Sequence, residues 1–352
     1  MILVFFMKFN NSKAVKHLGE STIIHLIEEM VLEKTNKPLL HDDAFFLEIS
    51  PSIAPTSQLE LVLSLNTDML VATTDVPTQM SYPQIGFKSV LMNISDLIVK
   101  GVKPKAVIIS LGLPADLMSD DLTALVEGII DCCVKYDVDY IGGDVNETKE
   151  LVINPTVLGW QEQNKILYRK GMNKGDILAT NGKFGLTGVG FDILLNKGSY
   201  EQLLGPFNKS IQSVLNPRVG LEALVLSSKH LATATIDSSD GLSKSLRELM
   251  ISNPGLGFEI NFDHNLYEEE TKAYSSDVDV ALEDLVFSGG EEFIHLFTIR
   301  PEDFEEAKKT VQISGGVLYK IGKVIDDPEI YILSDTKKYP LSANGYEHFT
   351  PK

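Results

Sequence analysis

Seven short acidic patches are spread along the chain, and most of them close an apolar run or adjoin glycine. They are His41-Asp42-Asp43, Asn66-Thr67-Asp68, Asp75 seven residues past Asp68, Asn93-Ile94-Ser95-Asp96, Gly142-Gly143-Asp144, Asp237-Ser238-Ser239-Asp240-Gly241 and Gly289-Gly290-Glu291-Glu292. Carboxylates at strand ends make poor core residues, and several in one cleft repel one another unless cations hold them. Magnesium held by protein carboxylates usually serves substrate phosphates. The sequence has no G-x-S-x-G, no P-loop and no H-E-x-x-H. Phosphoryl transfer suits that lack of a prepared nucleophile, because it needs mainly positioning and charge neutralisation.

Each patch also has an ordinary reading. Asp42 and Asp43 can cap a turn, and Asp68 can sit on a solvated bulge. Asn93, Asp96 and Lys100 share one helix face, where Asp96 and Lys100 can form a surface pair. Gly142-Gly143 can be a plain turn, or a place where backbone N–H groups approach an anion while Asp144 holds its cation. Gly182-x-x-Gly185-x-x-Gly188-x-Gly190 opens a helix in a manner that suits phosphate. Asp240 stands where a helix N-cap belongs. The case for a metal-assisted site is the conjunction of all seven.

The elements that must position these residues follow from periodicity. Apolar spacing predicts helices at 19–34, 83–100 and 118–136, the last begun by Ser119-Asp120-Asp121 as cap and first turn. Strands are predicted at 44–49, 60–65, 69–73, 105–112, 138–142 and 150–159. The polar stretch Gln161–Lys174 marks the boundary between domains 1–160 and 161–352. Beyond it come strands at 176–180, 231–236, 257–261, 294–299 and 329–333, with helices at 187–196, 208–213, 217–228 and 240–252. Residues 262–287 read as a surface helix–loop–helix. This mixed order is α+β and lacks regular βαβ alternation.

The chain has 352 residues, 43% of them apolar and 23% charged, and a formal net charge of −18. That is enough for two domains with a sizeable core. The acidity disfavours binding to nucleic-acid backbone, and it makes a polyanionic substrate awkward without bridging cations. No run of about 18 apolar residues predicts a membrane span. Met1–Met7 is apolar but short and lacks a basic lead, so it reads as an edge strand or as an extension ahead of Met7. Cys132 and Cys133, adjacent in a helix, point apart and read as small buried thiols of a reducing, cytoplasmic protein.

The order and wording of the patches resemble one family. Leu18-Gly19-Glu20, Asp42-Asp43-Ala44, Thr67-Asp68-Met69-Leu70-Val71, Asn93-Ile94-Ser95-Asp96-Leu97, Gly142-Gly143-Asp144 and Arg169-Lys170-Gly171 carry the resemblance. So do Asp237-Ser238-Ser239-Asp240-Gly241-Leu242, Gly289-Gly290-Glu291-Glu292 and Gly345-Tyr346-Glu347-His348-Phe349. The set is similar to the archaeal type of thiamine-monophosphate kinase, within the aminoimidazole ribonucleotide synthetase-like superfamily.

The resemblance implies a two-domain PurM-like fold, with an N-terminal sheet domain used for homodimerisation and a C-terminal α/β domain. It implies ATP-dependent, in-line phosphorylation of thiamine monophosphate to the diphosphate, with ATP as co-substrate and several Mg²⁺ ions. Asp43, Thr67, Asp68, Asp96, Asp144, Asp237 and Asp240 would hold metal, with Asp144 and Asp240 at the chemistry. Gly143, Asp144, Arg169 and Ser239 would contact ATP. Asp75, Glu291 and Tyr346 would meet thiamine. The chain departs from the family pattern at His41, Asn66, Asp75, Val126, Glu292 and His295. A ribonucleotide synthetase-like enzyme and a non-catalytic ATP- or metal-binding relative are the alternatives.

Overall fold

The computed structural model describes residues 20–36, 38, 41–48, 60–196, 205–334, 337–343 and 345. The expected N-terminal strand and Tyr346 lie outside the described residues. The chain divides into two units, one of residues 1–41 with 346–352 and the other of 42–345. In the first, the helix expected at 19–34 runs Glu20–Thr35.

The larger unit holds two sheets. The first contains β1 (Phe45–Glu48), β2 (Leu61–Thr67), β3 (Leu70–Val71), β4 (Pro104–Leu113), β5 (Asp139–Glu147) and β6 (Val152–Glu162). Its order is β1-β2-β6-β4-β5, with β3 also on β6. The β4–β5 pair is parallel and the others are antiparallel. Residues alternate strictly along β2: Val62, Ser64 and Asn66 are buried, while Leu61, Leu63, Leu65 and Thr67 are more open. Such alternation fits a sheet covered on one face only.

The covered face packs on helix Tyr82–Val99. Val107, Ile109, Ile153 and Val157 meet Val90, Leu91, Ile94 and Leu97 in one core. The helix start is fixed by Gln84, whose Oε1 accepts the Ser81 N–H at 2.9 Å, a reciprocal cap of the Ser-x-x-Gln kind. Its neighbour, Ser119–Tyr136, lies unusually close. A Cβ added at Gly86 would stand 2.0 Å from the Leu125 carbonyl oxygen, and one at Gly128 would stand 1.9 Å from that of Pro83. Met118, not Ser119, occupies the N-cap of Ser119–Tyr136.

The second sheet contains β7 (Ile177–Thr180), β8 (Ala234–Ser238), β9 (Gly257–Asn261), β10 (Ile294–Ile299), β11 (Tyr319–Ile325), β12 (Ile330–Ser334) and β13 (Lys337–Pro340). The order is β13-β12-β9-β11-β7-β10-β8, parallel only between β9 and β12. β7 is buried on both faces: Leu178 joins one core, and Ile177 and Ala179 the other. Fully burying a Leu or Ile side chain is worth about 1.5–3 kcal/mol. The helices are Leu186–Asn196, Asn208–Leu215, Glu222–Ser228, Leu242–Ser252, Glu269–Val278, Leu282–Ser288 and Phe304–Ile313.

Two expectations change. The 262–287 segment does form two helices, but Tyr274, Val286 and Phe287 are fully buried, so it is not merely surface. β11, absent from the periodicity reading, is central to its sheet. Lys320, Gly322 and Lys323 disguise it, and a register shift falls between Lys320 and Gly322. Among the described residues, no helix is long and apolar enough to cross a membrane. Cys132 and Cys133 are free and buried, and burial pushes both thiols up, Cys133 to about 11.

Candidate phosphoryl-transfer site

Three of the expected metal ligands converge. Asp43 precedes β1, Asp96 lies on Tyr82–Val99, and Asp237 lies on β8. Each offers a carboxylate oxygen, and these oxygens lie within 4.8 Å of one another. That is near the ~4 Å spanned by opposed ligands on one Mg²⁺. All three side chains are buried.

Their titration shows how poorly compensated the cluster is. Asp96 is raised well above the usual carboxylate range by burial, then by the charges of Asp237, Asp68 and Asp43. Burial and Asp43 push Asp237 up to about 7, against a hydrogen bond from Ser95. Burial works against the charge on Asp43 too, but Arg169 and Lys100 outweigh it and hold that carboxyl below its ordinary value. The Arg169 guanidinium bonds Asp43 through two nitrogens, the Nε contact at 2.9 Å, and reaches Glu248 at 3.3 Å.

Local contacts fix the cluster. The Asp68 N–H donates to Asn93 Oδ1 at 2.7 Å, which pins the β2–β3 turn to the helix. Asn66, one of the departures from the family pattern, donates from Nδ2 to the Asp43 carbonyl at 3.0 Å. Ser95 Oγ donates to Asp237 Oδ2 at 2.9 Å. His295, directly opposite Asp237 in the β8–β10 register, brings Nε2 to 3.4 Å from Ser95 Oγ. Burial lowers its pKa to about 3, so the ring is neutral.

The polar face read along 83–100 is not solvated. Lys88 is 1% exposed, and Asn93 and Lys100 are fully buried. Lys100 pairs with Asp42 and Asp43 at 2.7 and 2.6 Å, in place of the surface pair with Asp96. A helix apolar on nearly every side is enclosed, so its few polar residues must find partners inside; that was the available signal for Lys88 and Lys100.

A second group forms around the expected acceptor residues. Lys88 Nζ lies 2.5 Å from Glu291 Oε1 and donates to the Asp75 carbonyl at 2.7 Å. The Asp75 carboxylate itself accepts the Val71 N–H at 2.7 Å. Glu291 has φ +58 and donates its N–H to the Ser239 carbonyl at 2.5 Å. Burial raises Glu291, opposed by Lys88 and assisted by Asp75 and Asp240. Asp240 is not the N-cap, which is Gly241; it pairs with Lys244 at 2.9 Å. Ser239 is exposed.

Thr67, Gly143 and Asp144 lie apart from the buried cluster. Thr67 Oγ1 is shared between Asn154 Oδ1 at 3.1 Å and the Pro155 carbonyl at 2.9 Å. Asp144 is exposed on β5 and in register with Ser110, which is in register with Asn154. Residues in register share a face, so Asp144 and Asn154 open on the sheet face away from Tyr82–Val99. Gly143 has a packing reason: a Cβ there would stand 1.7 Å from the Ile109 carbonyl oxygen. The glycine-rich start of Leu186–Asn196 is met by the protein's own carboxyl group, since the Gly185 N–H donates to Glu292 Oε1 at 2.6 Å.

Comparison with known proteins supports this chemistry. The family described as AIR synthase related protein, N-terminal domain, matches residues 41–161. A thiamine-monophosphate kinase of Nitrosopumilus maritimus is 33% identical over 285 residues, covering 80% of this chain and 88% of that one. One from Pyrococcus horikoshii is 31% identical over 335 residues, covering 94% and 96%. The fold matches a structure described as AaThiL complexed with AMPPCP and TMP, with TM-score 0.79, 25% identity, and 96% and 99% of the two chains covered.

Proposed function

The chain belongs to the thiamine-monophosphate kinase family, and on that premise we propose that it transfers the γ-phosphoryl group of ATP to thiamine monophosphate, giving thiamine diphosphate and ADP. The observation that carries this reading is the buried Asp43–Asp96–Asp237 set, with its oxygens within 4.8 Å of one another. Two of its three carboxyls are raised by burial and mutual repulsion, a state that a divalent cation relieves. The donor set, all oxygen, suits Mg²⁺.

In this reading Asp43, Asp96 and Asp237 hold Mg²⁺ together with Asp68. Thr67 and Asp144, which open on the other face of the first sheet, and Asp240 would hold further metal outside that cluster, with Asp144 and Asp240 nearest the chemistry. Bound Mg²⁺ neutralises charge on the transferring phosphoryl group. Gly143, Asp144, Arg169 and Ser239 meet ATP, and Asp75, Glu291 and Tyr346 meet thiamine. Lys88 holds Glu291 and the Asp75 backbone in one arrangement on the acceptor side. The transfer is direct and in line, which agrees with a cluster built of carboxylates without a prepared nucleophile.

The division into domains 1–160 and 161–352 is part of the proposal, supported by a first sheet that ends at Glu162 and a second that begins at Ile177. So is a cytoplasmic homodimer. Phe45, Leu47, Ile108 and Trp160 are 45–60% exposed in the first sheet. Leu47, Leu63 and Trp160 lie in one row across β1, β2 and β6. A contiguous apolar sheet face of this kind marks a contact surface.

The test is direct. Purified protein with Mg²⁺, ATP and thiamine monophosphate should yield thiamine diphosphate and ADP in equal amounts. Turnover of another phosphorylated acceptor, with none of the diphosphate, would place the chain elsewhere in the superfamily.

A further inference from the structure

Lys100 is fully buried at the C-cap of Tyr82–Val99. Its ammonium reaches Asp42 Oδ1 at 2.7 Å, Asp43 Oδ2 at 2.6 Å and the Thr235 carbonyl at 2.9 Å. An ammonium has three donors; one goes to the Thr235 carbonyl, and the two carboxylate oxygens lie at ion-pair distance. Those oxygens come from two distant parts of the chain: the segment ahead of β1, and β8, which carries Asp237 two residues beyond Thr235. Burying an ammonium costs several kcal/mol unless its partners are well placed. This one is surrounded as a metal ion would be, by converging oxygens of which two are anionic.

The position has a consequence for the carboxylates around it. Asp43 faces Arg169 with Oδ1 and Lys100 with Oδ2. By contrast, among the described residues no lysine or arginine lies within ion-pair distance of Asp96 or Asp237, whose carboxylate oxygens are within 4.8 Å of each other and of Asp43. Positive charge is thus supplied by the protein on the Asp42–Asp43 side and is deficient on the Asp96–Asp237 side. We propose that Lys100 is a fixed cation of the acidic centre, filling the place between Asp42 and Asp43 that a further divalent ion would otherwise take and confining bound metal to the place among Asp43, Asp96 and Asp237. Lys100 is therefore a positioning residue, acting through the metal set. The proposal rests on the magnesium-assisted reading above.

The experiment counts ions and needs neither nucleotide nor acceptor. Metal-free wild type, Lys100→Met and Lys100→Arg are titrated with Mn²⁺, free ion is followed by electron paramagnetic resonance, and Tm is recorded along the titration. Lys100→Met should bind about one more Mn²⁺ per chain than wild type, because a divalent ion replaces the lost ammonium. Its Tm should climb with Mn²⁺ more steeply than that of wild type, and Lys100→Arg should match wild type in both. If Lys100→Met does not fold alone, Mn²⁺ should restore folding; failure to do so overturns the proposal. Equal counts and equal Tm responses in all three proteins also overturn it, and leave the magnesium reading intact. A wild type that binds no Mn²⁺ overturns both together.

Discussion

Buried Lys88 and partly exposed Glu291 form an ion pair, 2.5 Å from ammonium to carboxylate, between the helix behind the first sheet and the Gly289-Gly290 turn that leads into the second. The same ammonium holds the Asp75 carbonyl. One lysine thus ties two residues of the proposed acceptor side to a single point.

Removing that point should damage acceptor binding more than ATP binding. Lys88→Met should raise KM for thiamine monophosphate about tenfold or more, since it frees Glu291 and the Asp75 backbone from their common anchor and small misplacements of positioning groups are costly. KM for ATP should change little, and Lys88→Arg should recover part of the loss. Equal effects on both substrates, measured by steady-state kinetics, would remove Lys88 from the acceptor side.

Asp96→Asn should separate stability from activity. Without metal it removes a carboxyl raised by burial and by three neighbouring acids, so Tm in EDTA should rise by a few degrees, consistent with ~1 kcal/mol of relieved repulsion. Turnover should fall by about two orders of magnitude or more with the lost metal ligand. A variant that is less stable in EDTA contradicts the electrostatic account.

Glu292 makes a pH prediction. Burial pushes its carboxyl from 4.5 to about 7, opposed by the Gly185 N–H. The native state therefore holds this proton more tightly than the unfolded chain does. Its contribution to stability is complete below about pH 4.5 and is lost as pH rises through 7. Glu292→Gln should match wild type near pH 4.5 and exceed it by about 1 kcal/mol at pH 8, a figure reduced for the solvent that reaches this half-buried side chain. Thermal melts across that range check the sign; a variant less stable at pH 8 than at pH 4.5 relative to wild type refutes it.

The open sheet face predicts assembly. Trp160→Lys introduces a charge into the Leu47–Leu63–Trp160 row and should convert a dimer to monomer, read as a halved mass by light scattering. An unchanged mass places the dimer contact elsewhere.

The sequence made the strands and the acids legible for different reasons. β9 and β10 run Gly257–Asn261 and Ile294–Ile299, the spans that their apolar runs predict. Asp43, Asp96 and Asp237 stood out because acids beside apolar runs need a reason. Lys88, Lys100, Ser95 and His295 were hidden because their side-chain partners are 57 to 203 positions away and only tertiary structure joins them. Lys100 illustrates the point: an acid four positions earlier offered a local partner, and burial of the whole helix selected two distant ones.

The alternation along β2 places Asn66 and Thr67 on opposite sides of one sheet. Asn66 looks inward and holds Asp43, while Thr67 shares the outer side with Leu63 and Leu65. Point substitutions can therefore tune the interior or the exterior of this strand separately. A one-residue insertion ahead of Asn66 would exchange the two sides in a single step. The strand is thus permissive of mutation by replacement and intolerant of mutation by change of length, and surviving length variation should fall outside Leu61–Thr67.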